Sequence, residues 1–151
     1  MPPFSGGRLR GRDAVEAVTA EIQRVSALPL PQLAAEVMMK GFGPGGPGGP
    51  GTPGSLDAPH MVTYREPAAT AHTIAAEFTP ALLAQAVMNR NELRTRLTAI
   101  IAEGLQLLEH ACLIRAESYG STSSLCYLAT RRGRAALERG DIARVLAGDS
   151  L

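Results

Sequence analysis

Two cysteines, three histidines and fourteen carboxylates are the side chains with which this sequence could do acid–base, nucleophilic or metal chemistry. His110 and Cys112 lie two residues apart and Cys126 follows, so a zinc site is the first possibility to weigh. Structural zinc wants four ligands converging as a tetrahedron. With a hairpin centred near Ser121 and Thr122, Cys126 pairs near Glu117, several residues along from Cys112, and no fourth ligand is close. The thiols read as small apolar core groups instead. A Cys–His nucleophile needs a base aimed at an activated thiolate, and a His two positions before a Cys at a helix end points elsewhere. His60 and His72 fall in or near loops without carboxylates at metal spacing. The run from Gly120 through Ser121 to Ser124 lacks the closing glycine of a nucleophile elbow. Glu103 and Glu109, six apart, are not neighbours on one helical stripe and cannot act as a catalytic pair. No catalytic residue, metal site or cofactor is expected, and the protein is not expected to be an enzyme.

Phosphate is the remaining chemistry. Arginine outnumbers lysine fourteen to one, Lys40 being the single lysine. Coding by a GC-rich genome explains such a bias; so does phosphate recognition, which suits the planar guanidinium fork. Arginines cluster at Arg90, Arg94 and Arg96, and again at Arg131, Arg132 and Arg134. With 15 basic and 14 acidic residues the net charge is +1, so no global field draws the chain to nucleic acid and any binding must come from a local patch. The spacing Gly41-x-Gly43-x-x-Gly46 nominally fits a dinucleotide fingerprint, but that motif needs a strand before it, a helix after it and free backbone N–H groups. Here a helix precedes and prolines remove donors.

The elements that would hold these groups are mostly helical. Residues 1–12, with Pro, Gly and the alternating Arg8, Arg10 and Arg12, read as a disordered basic arm: a solvated tail or an arm laid along phosphates. Residues 13–40 read as a helical pair. Asp13 and Glu16 form a capping-box variant, and Val15, Val18, Ile22 and Val25 make one apolar face. Pro29 and Pro31 close the first helix; Leu33, Ala34, Val37 and Met38 face inward on the second, which Gly41 ends. Residues 41–60 read as a flexible loop, because 41–54 hold eight Gly and four Pro in fourteen positions; the collagen-like register of Gly45, Gly48, Gly51 and Gly54 is too short to hold a triple helix.

Residues 61–151 are expected to pack with 13–40 as one domain. Met61 to Tyr64 read as a short strand or a linker end, and 68–77 as helix. Thr79-Pro80 reads as a cap with proline at the first helical position, followed by an apolar face of Leu82, Leu83, Ala86 and Val87. Asn89 or Asn91 breaks that helix or caps the next one. Over 92–111, Leu93, Leu97, Ile100, Ile101, Gly104, Leu105, Leu108 and Ala111 trace one stripe at helical period. Gly104 on that stripe costs about 1 kcal/mol of helix stability, which close approach of another backbone would explain. Cys112–Ser118 and Leu125–Ala129 read as the strands of a hairpin, Thr130 caps a helix ending at Gly140, and Asp141 caps a last turn with Ile142, Val145 and Leu146.

Helix, helix, helix, strand, loop, strand is the chain order of a winged helix-turn-helix, and the local sequence is similar. Leu105-Gln106-Leu107-Leu108-Glu109-His110-Ala111-Cys112-Leu113-Ile114-Arg115 resembles the end of a recognition helix running into the first wing strand. Tyr127-Leu128-Ala129-Thr130-Arg131-Arg132-Gly133-Arg134 resembles the strand-to-helix exit of many bacterial regulators of that class. The resemblance covers residues 97–140. It implies a mainly α protein with a small β-hairpin, winged-helix-like (α+β), that binds DNA as a transcriptional regulator and homodimer. Arg90, Arg94, Arg96, Arg131, Arg132 and Arg134 would then contact phosphates, with Ser121 and Thr122 at the wing tip entering a groove. The same fold used as a protein-interaction adaptor or subunit is the alternative, because Glu103 and Glu109 on the outward face of residues 97–110 would repel phosphates.

Hydrophobic residues make up 45% of the chain and aromatics 4%, with no Trp, so the core must be aliphatic. Two cysteines are too few for a secreted disulfide framework, no N-terminal apolar run resembles a signal peptide, and no stretch approaches the ~20 apolar residues of a spanning helix. A cytoplasmic protein is expected.

Overall fold

The computed structural model describes residues 11–47, 60–62, 67–119 and 124–148. Helix α1 (Gly11–Ser26) buries Ala14, Val18, Ile22 and Val25 at spacings of four, four and three, so Ala14 takes the place expected for Val15, which is half-buried. Helix α1 starts two residues before Asp13. Asp13 therefore sits in the first turn, where its charge favours the positive end of the helix dipole, and Arg12, assigned to the arm by sequence, belongs to the helix and pairs with Glu16 at 3.3 Å.

Helix α2 (Leu30–Phe42) begins behind Pro29 and buries Leu33, Ala34, Val37, Met38, Gly41 and Phe42. Gly41 does not stop this helix, contrary to expectation. It is a packing glycine: a Cβ there would come within 2.8 Å of Ile74 Cδ1 on the next long helix. The chain leaves the helix at Gly43, whose N–H donates to the Met39 carbonyl, and turns through Gly45 at φ +82. The first part of the Gly/Pro stretch is thus a defined turn, and residues 48–59 lie outside the described ones.

After strand β1 (His60–Val62) comes α3 (Pro67–Phe78), with Ala71, Ile74, Ala75 and Phe78 in the core. Pro80–Leu83 form a single 3-10 turn rather than the start of an α-helix, and Ala84 is extended (φ −66, ψ 142) before the short α4 (Gln85–Met88). That break resets the phase. Leu82 and Val87 are buried as expected, but Leu83, placed on the same face by a 3.6-residue period, is 59% exposed.

Helix α5 (Asn91–His110) follows Arg90 at its N-cap and buries Leu97, Ile101, Gly104, Leu105 and Leu108. The stripe read from sequence packs on α2 and α3. Gly104 is where α2 comes closest: a Cβ would lie 2.8 Å from Val37 Cγ2 and 3.5 Å from Ala34 Cα. The absent side chain gives up helix propensity and gains a tight helix–helix contact, the compensation anticipated for a glycine on an apolar stripe.

Strands β2 (Ile114–Tyr119) and β3 (Ser124–Ala129) pair antiparallel, with Glu117 opposite Cys126 as the sequence predicts. The first of them starts later than expected because Cys112 adopts φ +61 and turns the chain out of α5. Strand β1 adds to the other edge of β3, antiparallel with His60 opposite Tyr127, giving the order β1-β3-β2. Helix α6 (Arg131–Arg139) ends at Gly140 in the left-handed region, φ 70, and α7 (Ile142–Leu146) comes after it. The fold is mainly helical with a small antiparallel sheet.

One apolar cluster runs from Val18 and Ile22 of α1 through Val37 and Met38 of α2, Ile74 of α3 and Ile101 and Leu108 of α5 to Ile114, Ala136 and Ile142. Each large aliphatic side chain buried there contributes about 1.5–3 kcal/mol. An exposed ion pair contributes at most about 1 kcal/mol, so apolar burial holds the fold. Among the described residues, no helix is long and apolar enough to cross a membrane.

Candidate nucleic-acid interface

Thr130 ties the hairpin to α5. Its hydroxyl accepts from Gly133 N at 3.0 Å, capping α6, and lies 2.7 Å from the Cys112 carbonyl and 3.1 Å from that of Leu113. Its backbone N–H donates to Leu113 O at 3.0 Å. Gly133 must be glycine for this arrangement, since a Cβ would overlap the Leu113 carbonyl oxygen and come within 2.9 Å of Met38 Cε. The start of α6 is thereby pressed against the end of α5, which places Arg131, Arg132 and Arg134, all exposed, at the C-terminal end of the long helix.

Arg90 and Arg96, also exposed, lie at the other end. A helix of 20 residues rising 1.5 Å per residue is about 30 Å long. The structure therefore holds the two arginine clusters apart, one at each end of α5. Ser121 and Thr122 lie outside the described residues.

Arg94 is different. Its guanidinium is partly buried, with Nη1 donating to the Met88 carbonyl and Nη2 standing 3.4 Å from His72 Nε2, and its Nε is buried without a partner. It links α3 to the start of α5 and is not presented to solvent as its neighbours are. Burial first, and the adjacent Arg94 charge second, hold the His72 pKa below its ordinary value, so the imidazole is neutral and its Nε2 accepts from the guanidinium in the Nδ1–H tautomer. A signal for this was present in the sequence: Arg94 is three residues before Leu97 and seven before Ile101, hence on the inward side of the stripe.

Nine of the other arginines fall into two groups. Arg12 pairs with Glu16, Arg24 with Glu21 and Glu36, and Arg139 and Arg144 with Asp141. Among the described residues Arg90, Arg96, Arg131, Arg132 and Arg134 have no carboxylate partner. These are five of the six arginines singled out by sequence. Between them, the outward face of α5 exposes Glu92, Thr95, Ala99, Glu103, Gln106, Glu109 and His110. That face is acidic, so it cannot lie on phosphates without repulsion.

No group of His, Cys, Asp and Glu is placed to hold a metal ion among the described residues. Cys112 is exposed rather than buried, because its left-handed turn points it away from the core that receives Leu113. No family model, no curated protein and no solved structure matches this chain.

Proposed function

We propose that this is a winged-helix DNA-binding protein that grips the phosphate backbone with the two ends of α5, and acts as a transcriptional regulator in homodimeric form. The observation that carries this reading is the set of five exposed arginines left unpaired while the other arginines with assigned acid partners are neutralised. Chain order supports it: helix α2, strand β1, helices α3 and α5, then hairpin β2–β3, with β1 closing on β3. A span of about 30 Å between the clusters is close to the roughly 34 Å turn of B-DNA. Arg94 does not belong to the contact set in this scheme; it ties the start of α5 to α3 and α4.

Salt separates this function from its rival. Anisotropy against a mixed-sequence duplex should show binding that weakens with added salt, and replacing Arg131, Arg132 and Arg134 by Ala should make the log–log salt slope shallower by about one unit for each arginine–phosphate pair removed. Binding that is absent at low salt, or indifferent to these substitutions, would remove the proposal.

The acidic outward face of α5 favours a second reading, an adaptor or subunit that meets another protein there. Glu103→Gln with Glu109→Gln discriminates: DNA affinity rises if repulsion from that face limits binding, whereas an adaptor loses its stoichiometric partner.

A further inference from the structure

Between the C-terminal turn of α2 and the outer side of α6 lies a cleft of about 470 Å³, lined by Met39, Phe42, Pro44, Leu137, Arg134 and Glu138. Its size is in the ~300–1,000 Å³ range of small-molecule sites. The floor is apolar: Phe42 is 5% exposed and Leu137 packs against the core. Met39, at 61% exposure, is a long flexible thioether left uncovered at its edge, the kind of side chain that moulds itself to an apolar guest.

The charges at the mouth are unusual. Arg134 and Glu138 stand one helical turn apart, the spacing at which opposite charges normally neutralise each other, yet neither has an ion-pair partner among the described residues. Their order explains this in part, since the cation is N-terminal to the anion, the weaker arrangement for an i,i+4 pair. A guanidinium, a carboxylate and an apolar floor therefore open on one cavity.

We infer that this cleft binds a small zwitterion with an aliphatic side chain, of the apolar α-amino-acid class. The ligand carboxylate accepts from the Arg134 guanidinium, its ammonium donates to Glu138, and its side chain displaces water from Phe42, Pro44 and Leu137. A plain fatty carboxylate would meet Glu138 as a like charge, and a plain amine would meet Arg134. Only a molecule carrying both groups satisfies both residues. This site shares Arg134 with the proposed DNA contacts, and its test involves no DNA.

The experiment is a titration of the ¹⁵N-labelled full chain with L-leucine, followed by amide shifts, beside 4-methylpentanoate and 3-methylbutan-1-amine as single-charge controls. The expected result is saturable shifts at Met39, Phe42, Leu137 and Glu138, at least tenfold weaker binding of both controls, and at least a tenfold loss for Arg134→Gln and for Glu138→Gln. Both residues are exposed, so the variants should fold, which circular dichroism checks. Absence of saturable shifts with L-leucine overturns the proposal. So does a control that binds as tightly as L-leucine, or shifts at these amides that survive both substitutions.

Discussion

Gly104 shows how a single position reveals which of two effects wins. Alanine there would raise helix propensity by about 1 kcal/mol, but its methyl would press on Val37 Cγ2 at 2.8 Å, and overpacking of a tight core costs about 1–3 kcal/mol. Gly104→Ala should therefore lower stability in urea unfolding, and combining it with Val37→Ala should recover part of the loss, a coupling that a double-mutant cycle reads directly. Gly133→Ala should be worse, because the obstacle is the Leu113 carbonyl, which no rotamer change moves. His72 gives a pH dependence whose sign follows from its lowered pKa. The unfolded chain takes up the proton first, so stability is full above about pH 6.5, declines as pH falls toward the folded value, and then levels. His72→Gln should flatten that part of the stability–pH curve. Gly104 was legible in the sequence because a glycine on an apolar stripe demands a close neighbour. For Arg94 the helical phase signalled the inward direction, but its partner His72 was not legible, because the two lie 22 positions apart on different helices.

At the scale of elements, Thr130 joins three of them. Thr130→Ala removes the cap of α6 together with the contact to the α5–β2 turn, and should reduce stability by about 1–2 kcal/mol, while Thr130→Ser, which keeps the hydroxyl, should lose much less. The capping role was readable from a Thr ahead of Arg-Arg-Gly; the second role was not, because it depends on the left-handed turn at Cys112 that brings the Cys112 carbonyl within 2.7 Å. The bridge between α1 and α2 is a further case. Arg24 donates to Glu21 at 2.6 Å and to Glu36 through two bonds of 2.8 and 3.0 Å, and the two carboxylates hold the guanidinium charged far above any working pH. It is 44% exposed, so Arg24→Ala should cost no more than about 1 kcal/mol, and less in high salt. Helices α1, α2 and α5 follow from periodicity because a buried face repeats over several turns, whereas α3 and the hairpin were legible from composition. The region from Thr79 to Arg90 did not follow from periodicity, since two one-turn elements with an extended residue between them share no common phase.

For the whole molecule, a net charge of +1 hides an uneven surface, with unpaired arginines at both ends of α5 and carboxylates along its length. A salt-sensitive affinity for duplex DNA that Glu103→Gln and Glu109→Gln increase is the expected outcome of that arrangement. Composition could not disclose it, because pairing is a property of the fold: Arg139 and Arg131 look alike in the chain, yet one is held by Asp141. The descent of α2 into the groove between α3 and α5 has a further consequence. Val37 and Ala34 meet Gly104 across more than sixty positions of chain, so this contact closes a long loop. Since doubling a loop's length raises its closure entropy by only about 0.6 kcal/mol, a flexible Gly/Ser insertion between α2 and β1 should lower stability by less than about 1 kcal/mol. A larger drop in the urea midpoint would mean that the intervening chain does more than join the two helices.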